Sequence, residues 1–246
     1  MKPTAIFLAM SLLAEVAYAQ TTQPGTKDVE KDVIAVVLGK KLTVRDKDKL
    51  NGLIFGSLLE QFAKENKIEP TAEELDAFVL KIEEKEKQDQ IKMQEDRAKL
   101  IQELKGSSLS DREREQKESH LKTIERILKA TGEIKEKTKG TEEQMRPMKR
   151  QMAQQFVRAW KINKALYKKY GGRVIFQQAG VEPLDAYRDF LKEHEKKGSF
   201  QILDKQYEAS FWRYFTNDAM HTFYSQDDGA KFINTPWWMM EQPPEE

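Results

Sequence analysis

The sequence contains no cysteine among its 246 residues. This absence excludes disulfide bonds, cysteine-ligated zinc sites, thiolate catalysis and a lipidated N-terminal cysteine. An excess of one charge is also missing, because 42 basic residues are balanced by 41 acidic ones. We therefore expect no nucleic-acid partner, since proteins that coat nucleic acid carry a strong basic excess. No apolar run after the first twenty residues approaches eighteen residues, so no integral membrane span is predicted.

Motifs for catalysis are scarce as well. Gly39-Lys40 is not the end of a phosphate-binding P-loop, because Ile34 stands where that motif needs glycine. The pattern G-x-S-x-G is absent, and none of the three histidines lies in an H-E-x-x-H motif. Asp218 and His221 are spaced to share a helix face, which makes them a weak candidate for metal binding or acid–base work. The simpler interpretation is a packed or surface histidine, so we predict no catalytic residue, no metal and no cofactor.

The first residues have the pattern of an export signal. Lys2 precedes an apolar stretch from Ile6 to Ala14, and Ala17 and Ala19 have the spacing of a signal peptidase site. We predict a signal peptide over 1–19 and a flexible polar leader over 20–32. The mature protein is then expected to be exported, to a periplasm or to the exterior.

The start of the mature chain predicts a small hairpin followed by helices. Val33 to Leu38 is β-branched and apolar, as in a strand, and Gly39-Lys40 is expected to turn the chain into a second strand. Apolar residues then recur at helical spacing. Thr71 with Glu74 forms a capping box that starts the next helix. We assign this module to 33–80.

The next segment, 81–146, is unusually charged. The stretch 81–150 holds 19 basic and 16 acidic residues, and no aromatic side chain lies between Phe78 and Phe156. Ser110 with Glu113 predicts a helix start, and Gly132 with Gly140 suggests a weak connector. We expect two long helices with narrow apolar seams that form an arm and that could mediate self-association. Partial disorder is the alternative on composition alone.

The C-terminal part, 147–240, resembles a core. It carries 18 of the 23 aromatic residues. A stripe at helical spacing runs to Gly171-Gly172, which should end the helix; its members are Met148, Met152, Phe156, Trp160 and Tyr167. Pro183 and Asp204 mark two further helix starts. We expect this region to pack with the N-terminal helices and to precede a polar tail, 241–246. The predicted fold class is mainly α, with a small N-terminal β-hairpin.

The N-terminal stretch resembles a known family. Val33 to Thr43 is similar to the opening hairpin of the SurA-type periplasmic chaperones, although Leu38 stands where the family usually has Asn. The Leu-Leu-Glu-Gln step from Leu58 to Gln61 and the run Pro70 to Leu75 also match the family pattern. The resemblance covers Val33 to Ile82. It implies a mostly helical chaperone module whose N-terminal helices are completed by a helix from far along the chain.

Many family members also carry a parvulin prolyl-isomerase domain, and no segment here has its alternation of strands and helices. The resemblance therefore implies binding of unfolded or partly folded polypeptides, without isomerase residues. We predict an exported, ATP-independent chaperone. The alternatives are an adaptor whose helical arm docks on an envelope partner, and a divergent prolyl isomerase.

Client-binding residues are expected on the N-terminal helices and near the C-terminus. They are apolar and placed where a groove could form: Phe55, Leu59, Phe62, Phe78, Trp237 and Trp238. The same side chains would also build a core, because aromatic residues at helical spacing are more often buried than exposed. The aromatic pair after Pro236 is the more open of the two groups and would suit a surface anchor.

Overall fold

A computed structural model describes residues 32–106, 109–138, 142–177 and 180–240, without the side chains of 133–145. The predicted fold class is confirmed: the described chain is mainly α-helical, with a small N-terminal β-hairpin. The predicted signal peptide with Ala17 and Ala19, the leader up to residue 31 and the tail 241–246 lie outside the described residues. Within the described part of the chain, no helix has the length and apolarity needed to cross a membrane.

The chain forms two compact units. Unit 1 combines the described residues up to Glu69 with those from Arg158 onward, and unit 2 is Pro70–Val157. Unit 1 is therefore built from two segments that are distant in sequence, whereas unit 2 is continuous.

The hairpin of unit 1 consists of β1 (Val33–Val37) and β2 (Lys40–Thr43), which pair antiparallel. Leu38 and Gly39 make the turn with φ of 49° and 78°. Two consecutive residues with positive φ match the type I′ turn that suits the twist of a two-residue hairpin. The turn thus lies one residue earlier than the predicted Gly39-Lys40, because Lys40 already pairs with Val37.

A third strand from far along the chain joins this hairpin. The short strand β5 (Phe200–Ile202) pairs antiparallel with β1, so the strand order is β2-β1-β5. The amide of Leu203 donates to the Ile34 carbonyl oxygen at 2.8 Å and extends the ladder. Neither β5 nor its pairing with β1 was predicted, since three residues carry too little pattern to distinguish a strand from a loop.

The other elements of unit 1 are mostly helices. A 3₁₀ turn over Val44–Lys49, with a capping box of Thr43 and Asp46, precedes α1 (Leu50–Glu65). After the end of α4 (Glu142–Tyr170), a two-stranded sheet of β3 (Ile175–Gln177) and β4 (Gly180–Glu182) forms. Three helices follow: α5 (Leu184–Lys196), α6 (Lys205–Thr216) and α7 (Gln226–Asn234). Asp204 caps α6 as predicted, whereas the sequence did not predict α7.

The core of unit 1 joins both of its chain segments. Ile54 and Leu58 of α1, Leu166 of α4, Phe190 of α5 and Phe211 of α6 are each fully buried in one apolar cluster. Burial of side chains this size stabilises a fold by roughly 1.5–3 kcal/mol each. The N-terminal helix is thus completed by helices from the far end of the chain.

Unit 2 is built on a long antiparallel helical hairpin. Helix α2 (Ala72–Leu104) begins at the predicted Thr71–Glu74 capping box, and α3 (Asp111–Thr138) begins after the predicted Ser110–Glu113 box. Arg97 pairs with Glu125 at 2.8 Å and Lys117 pairs with Glu103 at 2.5 Å across the hairpin. Its apolar seam is narrow, as expected from the charged composition.

Helix α2 runs without interruption from Ala72 to Leu104, across the segment boundary assigned between 80 and 81. One predicted break is wrong. The connector predicted around Gly132 is helical, because α3 continues to Thr138; Gly140 lies outside the described residues. A single glycine costs a helix interior only about 1 kcal/mol, which good helix formers on both sides offset.

The predicted stripe on α4 is offset from the buried face. Met148 is 57% exposed, while Ala153 and Val157 in unit 2 and Leu166 in unit 1 are buried. The predicted helix stop is confirmed, since Gly171 and Gly172 follow the last helical residue with φ of 68° and 92°.

Candidate functional site

The predicted client residues of α1 belong to the packing of unit 1. Phe62 is only 7% exposed and lies edge-on to Phe190, with ring centroids 5.6 Å apart. Phe55 is half-buried and meets Tyr187 at 4.7 Å and Phe215 at 5.4 Å. Leu59 is half-buried against the same cluster. These contacts attach α1 to α5 and α6. The expectation of an exposed side chain is therefore wrong for Phe62, whereas Phe55 and Leu59 are partly exposed.

Phe78 belongs to a different unit from the α1 residues. It is 1% exposed, and its ring stacks on Phe156 at a centroid distance of 5.7 Å. Its expected role as an exposed client contact is therefore wrong, because the contact between α2 and α4 in unit 2 uses the whole ring.

Trp237 and Trp238 form a half-buried turn at the C-terminal end of unit 1. Trp238 meets Trp160 of α4 edge-on at 5.9 Å. The Trp237 ring lies so close to Gly180 of β4 that a β-carbon there would come within 3.2 Å of it. Both indoles thus pack within unit 1. The prediction that they form a freely exposed surface anchor is wrong, because both are half-buried.

Asp218 and His221 point to different partners. Asp218 accepts hydrogen bonds from the Arg173 guanidinium at 2.7 and 3.2 Å. Nε2 of His221 lies 2.7 Å from the Tyr214 carbonyl oxygen, so this nitrogen carries the proton. The prediction that Asp218 and His221 share a helix face is therefore wrong, since the 3₁₀ turn ends at Met220 and the chain is extended at His221.

A polar cluster surrounds β4 in unit 1. The Tyr214 hydroxyl donates to Glu182 Oε2 at 2.6 Å, and the Gln177 side-chain amide donates to the Tyr214 oxygen at 3.3 Å. Burial raises the pKa of the Glu182 carboxyl group, while the hydrogen bond from Tyr214 acts in the opposite direction. Burial likewise raises the pKa of the Tyr214 phenol. This short bond connects the β3–β4 sheet to α6.

A second pair of polar side chains, part-buried, lies beside this cluster. The Tyr187 hydroxyl donates to Asn163 Oδ1 at 2.6 Å, and the Asn163 amide donates to the Val181 carbonyl oxygen at 3.2 Å. Burial raises the pKa of Tyr187 well above its ordinary value. No sequence pattern predicts this cluster; its one signal is a carboxylate, Glu182, between apolar residues.

Arg173 organises the surface next to the β3–β4 sheet. Its guanidinium donates to both Asp185 oxygens at 2.9 and 3.0 Å, in addition to Asp218, and lies 4.1 Å from the Phe223 ring centroid. Burial alone would raise the pKa of Asp185, but the hydrogen bonds from Arg173 leave it below its usual value. Gly172 cannot be replaced without disturbing this site, because a β-carbon there would lie 2.4 Å from that of Asp185.

An open cleft of about 450 Å³ lies on unit 1 between the end of α4 and the start of α7. Tyr167 and Tyr224 contribute aromatic walls, and the backbone at Gly171 and Gly172 forms part of the floor. A side chain at Gly171 would meet no atom within 4 Å, so the cleft is open above that residue. A volume of this size lies within the range of ligand-binding pockets in proteins.

The chemistry of the cleft suits binding rather than bond making. The Tyr224 hydroxyl is buried without a hydrogen-bond partner among the described residues, and burial raises its pKa to about 12. The Arg173 guanidinium is engaged by two carboxylates, which rigidify that wall. From the sequence the two glycines predict only a helix stop, because the opposite wall of the cleft comes from α7, far along the chain.

No metal site is apparent in the described part of the chain, where no three histidine, aspartate or glutamate side chains are grouped for coordination. Comparison with family models, with curated proteins and with solved structures found no match to this chain.

Proposed function

We propose that this protein is an exported, ATP-independent chaperone that binds unfolded or partly folded polypeptides. The observation that carries the proposal is the open cleft of about 450 Å³ with walls of two tyrosine rings and a glycine floor. Aromatic rings provide apolar contact with many kinds of side chain at little cost in conformational entropy. The glycine floor lets a bound main chain come close, because no side chain stands at Gly171.

Two further features support this function. The resemblance of Val33 to Ile82 to the SurA-type chaperones implies a module completed from far along the chain, and unit 1 has that organisation. Charged residues make up 34% of the sequence, which keeps a protein soluble while it carries an apolar client. The proposed client contacts are now the cleft residues; Phe55 and Leu59 do not line the cleft, and they remain half-buried candidates elsewhere in unit 1.

The direct test is the aggregation of a chemically unfolded client, followed by light scattering without nucleotide. We expect suppression at near-stoichiometric amounts of this protein. Gln226→Trp, which places a large ring at an exposed lining position of the cleft, should abolish most of the suppression. Asp227→Trp is the matched control, since residue 227 is also exposed in the first turn of α7 but does not line the cleft.

Two results would refute the proposal. One is the absence of suppression for several unfolded clients by a protein that circular dichroism shows to be folded; the adaptor function would then gain weight. The other is equal suppression by Gln226→Trp and Asp227→Trp, which would remove the cleft from the mechanism.

A further inference from the structure

The outer face of α2 carries two isolated apolar side chains. Leu80 is 60% exposed and Ile91 is 57% exposed, whereas Phe78 and Leu100 on the inner face of this helix are buried. At 3.6 residues per turn, Leu80 and Ile91 lie within about 20° of each other and about 140–160° from Phe78. They therefore share a face that is exposed in the described part of the chain.

These two residues belong to a longer stripe with coiled-coil spacing. Leu80, Glu84, Lys87 and Ile91 follow one another at steps of four, three and four residues, and all four are exposed. The stripe continues to exposed Ala77 and Gln94 at the same spacing. This spacing is that of the seam along which two helices pack in a two-stranded coiled coil, where the seam positions are ordinarily apolar. Here its two ends are apolar and its centre is charged.

The stripe is complementary to itself in one orientation. If a second copy of α2 lies antiparallel so that Leu80 faces Ile91 of that copy, then Glu84 faces its Lys87. A two-fold axis makes each of these contacts twice. In a parallel pair, Glu84 would face Glu84 and Lys87 would face Lys87, and like charges opposed across an interface are costly. The charge pattern therefore selects the antiparallel arrangement.

The residues that flank the stripe agree with this register. Lys81 would face Gln88 and Glu83 would face Gln90, so no like charges meet beside the central layers. Further out, Asp76 would lie opposite Arg97, although within one chain these two residues already pair with Arg150 and Glu125. One like-charged pair, Glu74 with Glu95, falls at the exposed rim, where solvent and salt screen it.

We propose that two copies of this chain form an antiparallel dimer through the outer face of α2, over residues 77–94. Four large apolar side chains and two pairs of opposite charges form its centre. This is less than a standard protein interface contains, so the dimer is expected to be weak and to form with rising concentration. The inference does not depend on the proposed chaperone function.

Sedimentation of the full-length protein over a range of concentrations tests the dimer. The mass should rise from the 28.7 kDa of one chain toward twice that value. Glu84→Lys and Lys87→Glu should each weaken association about tenfold or more, because each puts two pairs of like charges at the centre. The double variant should recover most of the association. Lys92→Glu, exposed on the side of α2 away from the stripe, is the matched control and should associate like the wild type.

Oxidative cross-linking tests the orientation. The chain has no cysteine, so introduced thiols have no background. Leu80→Cys combined with Ile91→Cys should form disulfide-linked dimers, whereas Leu80→Cys alone should not, since its two copies would lie about 16 Å apart along the helix. A protein that stays monomeric at every concentration, charge variants without effect, or cross-linking by Leu80→Cys alone would each overturn the proposal.

Discussion

At the scale of single residues, the fold changes the proton affinity of Glu182. Burial raises the pKa of this carboxyl group above its ordinary value of 4.5. The native state therefore binds the proton more tightly than the unfolded chain does. By linkage, the contribution of Glu182 to the free energy of unfolding is greatest below about pH 4.5 and falls as the pH rises through the native pKa.

Glu182→Gln removes this pH dependence. We expect the wild type to lose stability relative to the variant as the pH rises from 4.5 to 8, in urea unfolding followed by tryptophan emission. Tyr214→Phe should make the loss steeper, because it removes the hydrogen bond that favours the charged carboxylate. Identical pH slopes in the wild type and the glutamine variant would show that Glu182 does not titrate as described.

Leu38 is a second residue under local constraint. It adopts φ of 49° in the hairpin turn, a left-handed conformation that costs a branched or bulky L-residue about 1–2 kcal/mol. Asn tolerates this conformation and is favoured before Gly in a type I′ turn.

Leu38→Asn should therefore raise the free energy of unfolding by about 1 kcal/mol, since the side chain is 43% exposed and gives up little burial. Urea unfolding by tryptophan emission measures the change. Lys40→Asn, which lies in β2 where extended backbone is required, is the control and should not stabilise. A loss of stability in Leu38→Asn would mean that its apolar contacts outweigh the backbone strain.

At the scale of elements, the contact between α2 and α4 in unit 2 depends on a few side chains. Phe78 stacks on Phe156, and near it Lys149 pairs with Glu83 at 2.5 Å. This ion pair is partly exposed, and surface pairs contribute about 1 kcal/mol or less, whereas truncating a buried phenylalanine typically costs about 3–5 kcal/mol. The aromatic stack is thus the main attachment of the first half of α2.

Phe78→Ala should lower the stability of unit 2 by about 3 kcal/mol. All four tryptophans belong to unit 1, so circular dichroism should lose helix early while tryptophan emission changes late. Met148→Ala, at an exposed position of the same unit, should leave both probes unchanged. If circular dichroism and tryptophan emission report the same unfolding transition in Phe78→Ala, at the wild-type midpoint, the aromatic stack contributes little to the stability of unit 2.

At the scale of the whole molecule, unit 1 has a core that uses only its own residues. The two places where it meets unit 2 in sequence are close together, since Lys161 Nζ donates to the Glu69 carbonyl oxygen at 2.8 Å. A short flexible connection can therefore replace 70–157 without strain.

We expect the protein with 70–157 replaced by a Gly/Ser linker to fold and to unfold cooperatively by tryptophan emission. The fragment that starts at Arg158 is the contrasting protein and should not fold, because it lacks Ile54, Leu58 and the β1 strand that pairs with β5. An unfolded linked protein would mean that unit 1 depends on unit 2.

The sequence alone determined the parts of this protein that depend on near neighbours. The capping boxes at Thr71 and Ser110, the N-cap at Asp204 and the stop at Gly171 involve groups within a few residues of one another, so each was readable from the chain. The helical class and the long charged hairpin follow from the same local patterns.

Only the tertiary structure decided the rest. The pairing of β5 with β1, the burial of Phe62 and Phe78, the bond between Glu182 and Tyr214 and the cleft beside Gly171 all join residues far apart in the chain. Such contacts depend on the entropy of closing long loops and on which apolar faces meet. A local sequence pattern contains no information about loop closure or about which apolar faces meet. The aromatic residues that suggested an exposed groove were therefore equally able to form a core.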